Sequence, residues 1–136
     1  MKPNKDIITS GKRKASKASA TIIPGNGMVT VNKITHNKLS HLRGLSIEEP
    51  IRIAKEVLGN FDFDISVTVH GGGKESQVEA ARLAIARALV KFNKSEQLRK
   101  AYLSYDKALL VADVRRKEAY KPGDSKARSK RQKSYR

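Results

Sequence analysis

The chain has 136 residues, room for one domain with extensions, and carries a formal net charge of +16. Self-repulsion on that scale works against a compact state, so it points to a polyanionic partner: nucleic acid first, an anionic membrane surface second. Cysteine is absent, which excludes disulfides, thiolate metal sites and a cysteine nucleophile.

The first residues lack the apolar core of a signal peptide, and no apolar run approaches the roughly 18 residues of a membrane span. A cytoplasmic protein with no membrane partner is expected. Charge is unevenly placed along the chain. Residues 1–20 hold six lysines and arginines against Asp6, a net +5. Residues 115–136 hold ten against Glu118 and Asp124, a net +8. The 94 residues between are nearly balanced, with 13 basic and 10 acidic. Two basic arms around a balanced domain is the asymmetry of a nucleic-acid binder. The expected organisation is an N-terminal arm at 1–11, a globular domain at 12–114 and an extended basic tail at 115–136.

In chain order, residues 1–11 read as a loose arm. SATIIPGNGMVTVN reads as a hairpin, with Ile22 and Ile23 ending one run and Val29 and Val31 in the next. Pro24-Gly25-Asn26-Gly27 between them suits a tight turn. Residues 33–45 suggest a short strand, a turn and a short helix. In SIEEPIRIAKEVLG, Ser46 and Glu49 predict a capping box. Pro50 then falls in the first turn, where its missing N–H has no intrahelical partner to lose. Ile47, Ile51, Ala54, Val57 and Leu58 form one apolar stripe, and Gly59 suits the helix end.

FDFDISVTVH alternates strictly. Phe61, Phe63, Ile65, Val67 and Val69 face one way; Asp62, Asp64, Ser66, Thr68 and His70 face the other. After GGG, KESQVEAARLAIARALVKF predicts the strongest helix, with Val78, Ala81, Ile85, Ala88, Leu89 and Phe92 on its inner face. A short helix follows from Ser95 to about Leu103. Leu109, Leu110 and Val111 are expected to anchor a last segment. Beyond Pro122 and Gly123 no structure is expected without a partner. The fold class is α+β: a small mixed sheet with helices on one face and extended basic arms.

Gly71-Gly72-Gly73-Lys74 invites a phosphate-loop reading and fails it. Thr68 stands where the first glycine belongs, and Glu75 follows the lysine in place of Ser or Thr. Two readings stay open. The glycines and the helix N-terminus lie against an RNA backbone, or the turn is a plain connection. His36, His41 and His70 lack the i, i+3 or i, i+4 spacing of helical metal ligands. Asp62 and Asp64 form the one acidic pair suited to acid–base chemistry, and a solvated edge is its commoner role. Lys and Arg in the arms neutralise phosphates without reading sequence. Arg128, Arg131 and Arg136 offer bidentate contacts, and Tyr135 a ring to stack on a base. With three phenylalanines, four tyrosines and no tryptophan, the chain lacks an aromatic platform for reading several bases. Phosphate and shape recognition of structured RNA fits better.

Four blocks together resemble the universal protein-nine family of the small ribosomal subunit. They are GKRKASKASATIIPGNGMVTVN (11–32), IEEP (47–50), DISVTVHGGGKESQVEAARLAIARALV (64–90) and YDKALLVADVRRKEAYKPG with KARSKRQKSYR (105–136). The QKSYR ending is similar to the archaeal and eukaryotic branch. Val114 departs from the proline common after LLVAD, Ser76 from a glycine common in bacterial members, and the tail is richer in lysine.

The resemblance implies the fold of the second domain of small-subunit protein five, with a left-handed βαβ crossover. It implies a structural constituent of the subunit head that is not an enzyme and takes no cofactor or metal. The implied partners are the three-prime (head) domain of small-subunit rRNA, the P-site tRNA and neighbouring small-subunit proteins. Lys133, Ser134, Tyr135 and Arg136 would meet the tRNA near its anticodon stem-loop. Lys12, Arg13, Lys14, Lys17, Gly71, Gly72, Gly73, Lys74, Gln77, Arg115, Arg116, Lys126, Arg128, Lys130 and Arg131 would meet rRNA. The rival expectations are an RNA-processing enzyme of the same fold, or an extra-ribosomal RNA-binding protein.

Overall fold

A computed structural model of the chain describes residues 6–135. Strands β1 (Ile7–Arg13), β2 (Ser16–Pro24), β3 (Val29–Val31) and β4 (Ile34–Thr35) come first. Helix α1 (His41–Leu58), strand β5 (Phe63–His70) and helices α2 (Lys74–Asn93) and α3 (Glu96–Tyr105) follow. Short 3-10 turns lie at His36–Lys38 and Lys107–Leu109. The strands make one sheet in the order β1-β2-β5-β3-β4. It is a mixed α+β sheet, as the pattern predicts, and β5 carries its alternation through. Ile65, Val67 and Val69 are buried, while Ser66, Thr68 and His70 are exposed.

The expected β2–β3 hairpin does not form. β5 inserts between the two, antiparallel to β2 and parallel to β3, with Ile65 level with both Ile22 and Val29. The PGNG loop wraps the start of β5 instead. The Asp64 carboxylate accepts the N–H groups of Asn26 and Met28, each at 2.9 Å. The Gly25 N–H donates to the Asp62 carbonyl at 3.0 Å. A β-carbon on Gly25 would stand 2.1 Å from the Asp64 carboxyl carbon, so a side chain there would push that carboxylate off the loop it holds.

Residues 7–11 are no loose arm; they belong to β1, paired in antiparallel register with β2. The inward positions of β1 are Ile7, Thr9, Gly11 and Arg13, a series with little apolar alternation to announce a strand. Polar bonds to α2 replace it. Thr9 Oγ1 donates to the Ala84 carbonyl at 2.9 Å, and Arg87 Nη1 to the Ser10 carbonyl at 2.8 Å.

Helix α1 begins at His41, before the expected cap, so Ser46 and Pro50 both lie inside it. Ser46 Oγ donates to the Leu42 carbonyl at 3.0 Å rather than capping. Glu49 pairs with Arg82 of α2, not with a backbone N–H. Pro50 leaves the Ser46 carbonyl without its usual donor four residues on. Tertiary packing outweighs that loss: Pro50 is fully buried, and its own carbonyl accepts the Tyr102 hydroxyl at 2.7 Å. Gly59 ends the helix in the left-handed region (φ 77°) as expected.

Helix α2 is the core's spine. Ala80, Ala81, Ala84, Ile85, Ala88 and Leu89 are fully buried against the sheet and α1. Its alanines let the backbones approach closely. Leu98 and Tyr102 of α3 close the core from the far side. Of the three residues expected to anchor the last segment, Leu109 is fully buried and Leu110 half-buried, but Val111 is 48% exposed. Burying Leu109 contributes about 1.5–3 kcal/mol towards holding the base of the tail. Among the described residues from Val111 to Tyr135 no helix or strand forms.

Candidate nucleic-acid interface

Three segments far apart in sequence meet at one end of the sheet: the β1–β2 turn, the glycine turn after β5, and the base of the tail. On the open face Lys12 stands directly opposite Lys17, and Lys17 opposite His70. All three side chains are exposed. Side chains directly opposite in a sheet have β-carbons about 5 Å apart, and like charges there are destabilising. Among the described residues no carboxylate pairs with Lys12, Lys14 or Lys17 within 4.0 Å. Lys14 sits at the apex of the turn with φ 51°.

The glycine turn has an intrachain reason. Gly71 (φ 76°) would place a β-carbon 2.7 Å from the Ala15 carbonyl oxygen, and Gly72 (φ 64°) 2.2 Å from Ser16 Oγ. The buried Ser16 hydroxyl donates to the Gly71 carbonyl at 2.9 Å, and Gln77 Nε2 donates to the same oxygen at 3.0 Å. The close backbone approach that the glycines permit is therefore an approach to the chain's own β1–β2 turn. Gly73 differs: nothing lies within 4 Å of its added β-carbon. Lys74 follows it, exposed, in the first turn of α2.

Arg13 is an inward residue, its side chain 14% exposed and flanked by two carboxylates. Its Nε donates to Glu79 of α2, and its Nη1 lies 2.7 Å from Asp113 Oδ2. The second contact is an ion pair without hydrogen-bond alignment. Asp113 also receives the Arg115 backbone N–H at 2.9 Å and the Arg115 guanidinium at 2.7–3.2 Å. Hydrogen bonding from Arg115 holds the Asp113 carboxyl well below the usual carboxylate range, and Asp113 raises Arg115 in return. A cleft of about 730 Å³ opens beside this cluster, lined by Arg13, Lys14, Ala15, Arg115, Arg116 and Lys117.

Lys126, Arg128, Lys130, Arg131, Lys133, Ser134 and Tyr135 run on, all exposed. Arg128 pairs with Glu118 at 3.0 Å, and Arg131 donates to the Gly123 carbonyl at 2.8 Å. Exposed pairs of this kind contribute about 0–1 kcal/mol and are free to exchange for phosphate. The Tyr135 ring is 89% exposed. Arg136 and residues 1–5 lie outside the described residues.

The fold thus gathers Lys12, Lys14, Lys17, Arg115 and Arg116 into one basic region beside the glycine turn. It engages Arg13 and Gln77 inside the chain. Sequence reading missed Lys117 in the cleft and the placement of His70 beside Lys17, although the VRRK run and the strand's alternation both signalled them. Asp64 spends its carboxylate on the PGNG loop, so that member of the acidic pair is a loop clasp. Asp62 accepts the Asn60 amide at 3.0 Å. Among the described residues no group of three or more His, Cys, Asp or Glu is placed to hold a metal ion. No helix among them is long and apolar enough to cross a membrane.

Fold and surface together define a small α+β protein with an uncompensated cationic sheet end and a basic tail. The pattern that describes ribosomal protein S9/S16 matches residues 11–136. The small ribosomal subunit protein uS9 of Methanococcus vannielii is 40% identical over 136 residues, covering 97% of this chain and 99% of that one. The protein of the same name from Thermoplasma volcanium is 42% identical over 132 residues, covering 96% and 98%. The chain belongs to the ribosomal protein S9/S16 family, whose members are structural rather than enzymatic.

Proposed function

We propose that this chain is a structural constituent of the small ribosomal subunit head. Its cationic sheet end and the tail residues Lys126, Arg128, Lys130 and Arg131 bind the three-prime domain of the small-subunit rRNA. Lys133, Ser134, Tyr135 and Arg136 reach the anticodon stem-loop of the P-site tRNA. The observation that carries this reading is the Lys12–Lys17 register pair. A folded domain that sets two lysines side by side without a carboxylate is built for an external polyanion. Gly73 and Lys74 lie at the same end, with room for a phosphate to approach the start of α2.

The test has two arms. The full chain should co-sediment with small subunits in cell extract; finding it only free would overturn the ribosomal reading. Deleting residues 133–136 should leave co-sedimentation intact and weaken P-site tRNA retention on those subunits severalfold at physiological salt. Unchanged retention would overturn the tRNA contact and leave the tail as a phosphate filler.

A further inference from the structure

Asp113 is a carboxylate among cations that the proposed function would turn towards RNA. By charge alone it repels phosphate. Its geometry says otherwise. One oxygen, Oδ2, lies 2.7 Å from Arg13 Nη1 of β1 and 2.7 Å from Arg115 Nη2 of the tail. The other, Oδ1, accepts the Arg115 backbone N–H at 2.9 Å and so sets the turn by which the chain leaves the domain. Upstream, Leu109 and the Arg87 bond to the Leu110 carbonyl (3.1 Å) dock the chain. Downstream, Val114 is 84% exposed. Among the described hydrogen bonds and ion pairs, Asp113 makes the last tie between domain and tail.

The charges close locally. Arg13 and Arg115 are matched by Glu79 and Asp113, which leaves Lys14, Arg116 and Lys117 as the unmatched cations of the cleft. We infer that Asp113 is a positioning residue for RNA binding: it clamps Arg13 to Arg115 so that Arg116 and Lys117 face Lys14 across one phosphate-binding cleft. This rests on the rRNA reading above and adds the residue that assembles the site.

The test exploits opposite signs. Asp113→Asn removes a negative charge from the RNA-facing surface. If Asp113 were a bystander, affinity for RNA would rise. If it positions the cleft, affinity falls although net charge has increased. The full chain is titrated with a transcript of the three-prime domain of small-subunit rRNA across a salt series. Asp113→Asn is expected to bind about tenfold more weakly, with a salt slope shallower by one or two phosphate contacts. Asp113→Glu, which keeps the carboxylate, is expected to recover most of the loss. Arg13→Gln should cost less in the Asp113→Asn background than in the parent, the difference reporting the shared Arg13–Asp113 contact and the remainder the Arg13–Glu79 pair. Trypsin cleavage after Arg115 and Arg116 under native conditions should quicken in Asp113→Asn, a readout of tail release that needs no RNA. Equal or tighter binding by Asp113→Asn, or unchanged cleavage, would overturn the inference while the rRNA reading stands. Failure of the unaltered chain to bind the transcript would overturn the rRNA reading and this one with it.

Discussion

Gly11 of β1 and Ala80 of α2 meet backbone to backbone: a β-carbon on Gly11 would lie 2.2 Å from the Ala80 carbonyl oxygen and 2.8 Å from the Ala84 nitrogen. Neither neighbour is a flexible side-chain tip, so β1 or the helix must move to admit a methyl group. Gly11→Ala is expected to destabilise the protein by about 2–3 kcal/mol, at the upper end of overpacking. Urea denaturation should show a lower midpoint with an unchanged slope. An unaltered midpoint would mean that β1 does not pack on α2 in this way.

Two of the three glycines after β5 are expected to separate. Gly72→Ala meets both a left-handed φ and Ser16 Oγ at 2.2 Å, and should cost about 2 kcal/mol or more. Gly73→Ala meets open space with φ −94° but sits at the N-cap of α2, where alanine is worse than glycine, so it should cost only about 0.5–1 kcal/mol. If an RNA phosphate approaches the start of α2 there, Gly73→Ala still weakens binding to the three-prime-domain transcript. The larger stability loss in Gly72→Ala, with RNA affinity unchanged in Gly73→Ala, would leave the turn a purely structural joint.

These two glycine contacts also mark where sequence reading ran out. β5 and α2 were legible because each carries a full period, and both faces of β5 emerged as read. The PGNG turn announces a reversal of the chain but not whether its two strands adjoin; β5, more than thirty residues later, fills the gap by a non-local parallel pairing. Gly11 hid β1, because a residue placed for closeness to a helix leaves no apolar signal. Pro50 misplaced the start of α1, since proline's usual place is the first turn, whereas here it lies mid-helix, fully buried beneath the Tyr102 contact. At the site, charge in the arms was visible at once. Its gathering at one sheet end was not, because that depends on Lys12 and Lys17 falling opposite each other across a two-residue turn.

Tyr102→Phe keeps the ring and deletes the hydroxyl that donates to the Pro50 carbonyl at 2.7 Å. The expected loss is about 1 kcal/mol at neutral pH. Burial raises the Tyr102 phenol above its ordinary value near 10. A raised folded pKa gives stability that is full below the unfolded value and is lost as pH rises towards the folded one. The stability gap between parent and Tyr102→Phe should therefore narrow above about pH 10. A gap that stays constant in denaturation curves through pH 11 would show that Tyr102 ionises as freely folded as unfolded.

The Lys12–Lys17 pair sets stability against function. Lys17→Ser removes a like-charge contact from the open face, and should stabilise the free protein by about 0.2–0.5 kcal/mol at low salt. Screening should erase that gain near 1 M salt, where the Debye length falls to about 3 Å. The same substitution should weaken binding to the three-prime-domain transcript and lower the salt slope by about one contact. Urea curves at two ionic strengths and an RNA titration read both effects on one variant. A gain in stability with RNA affinity unchanged would make the row a solvated face. A loss of affinity beside that gain would mean that the fold tolerates the repulsion because RNA relieves it on binding.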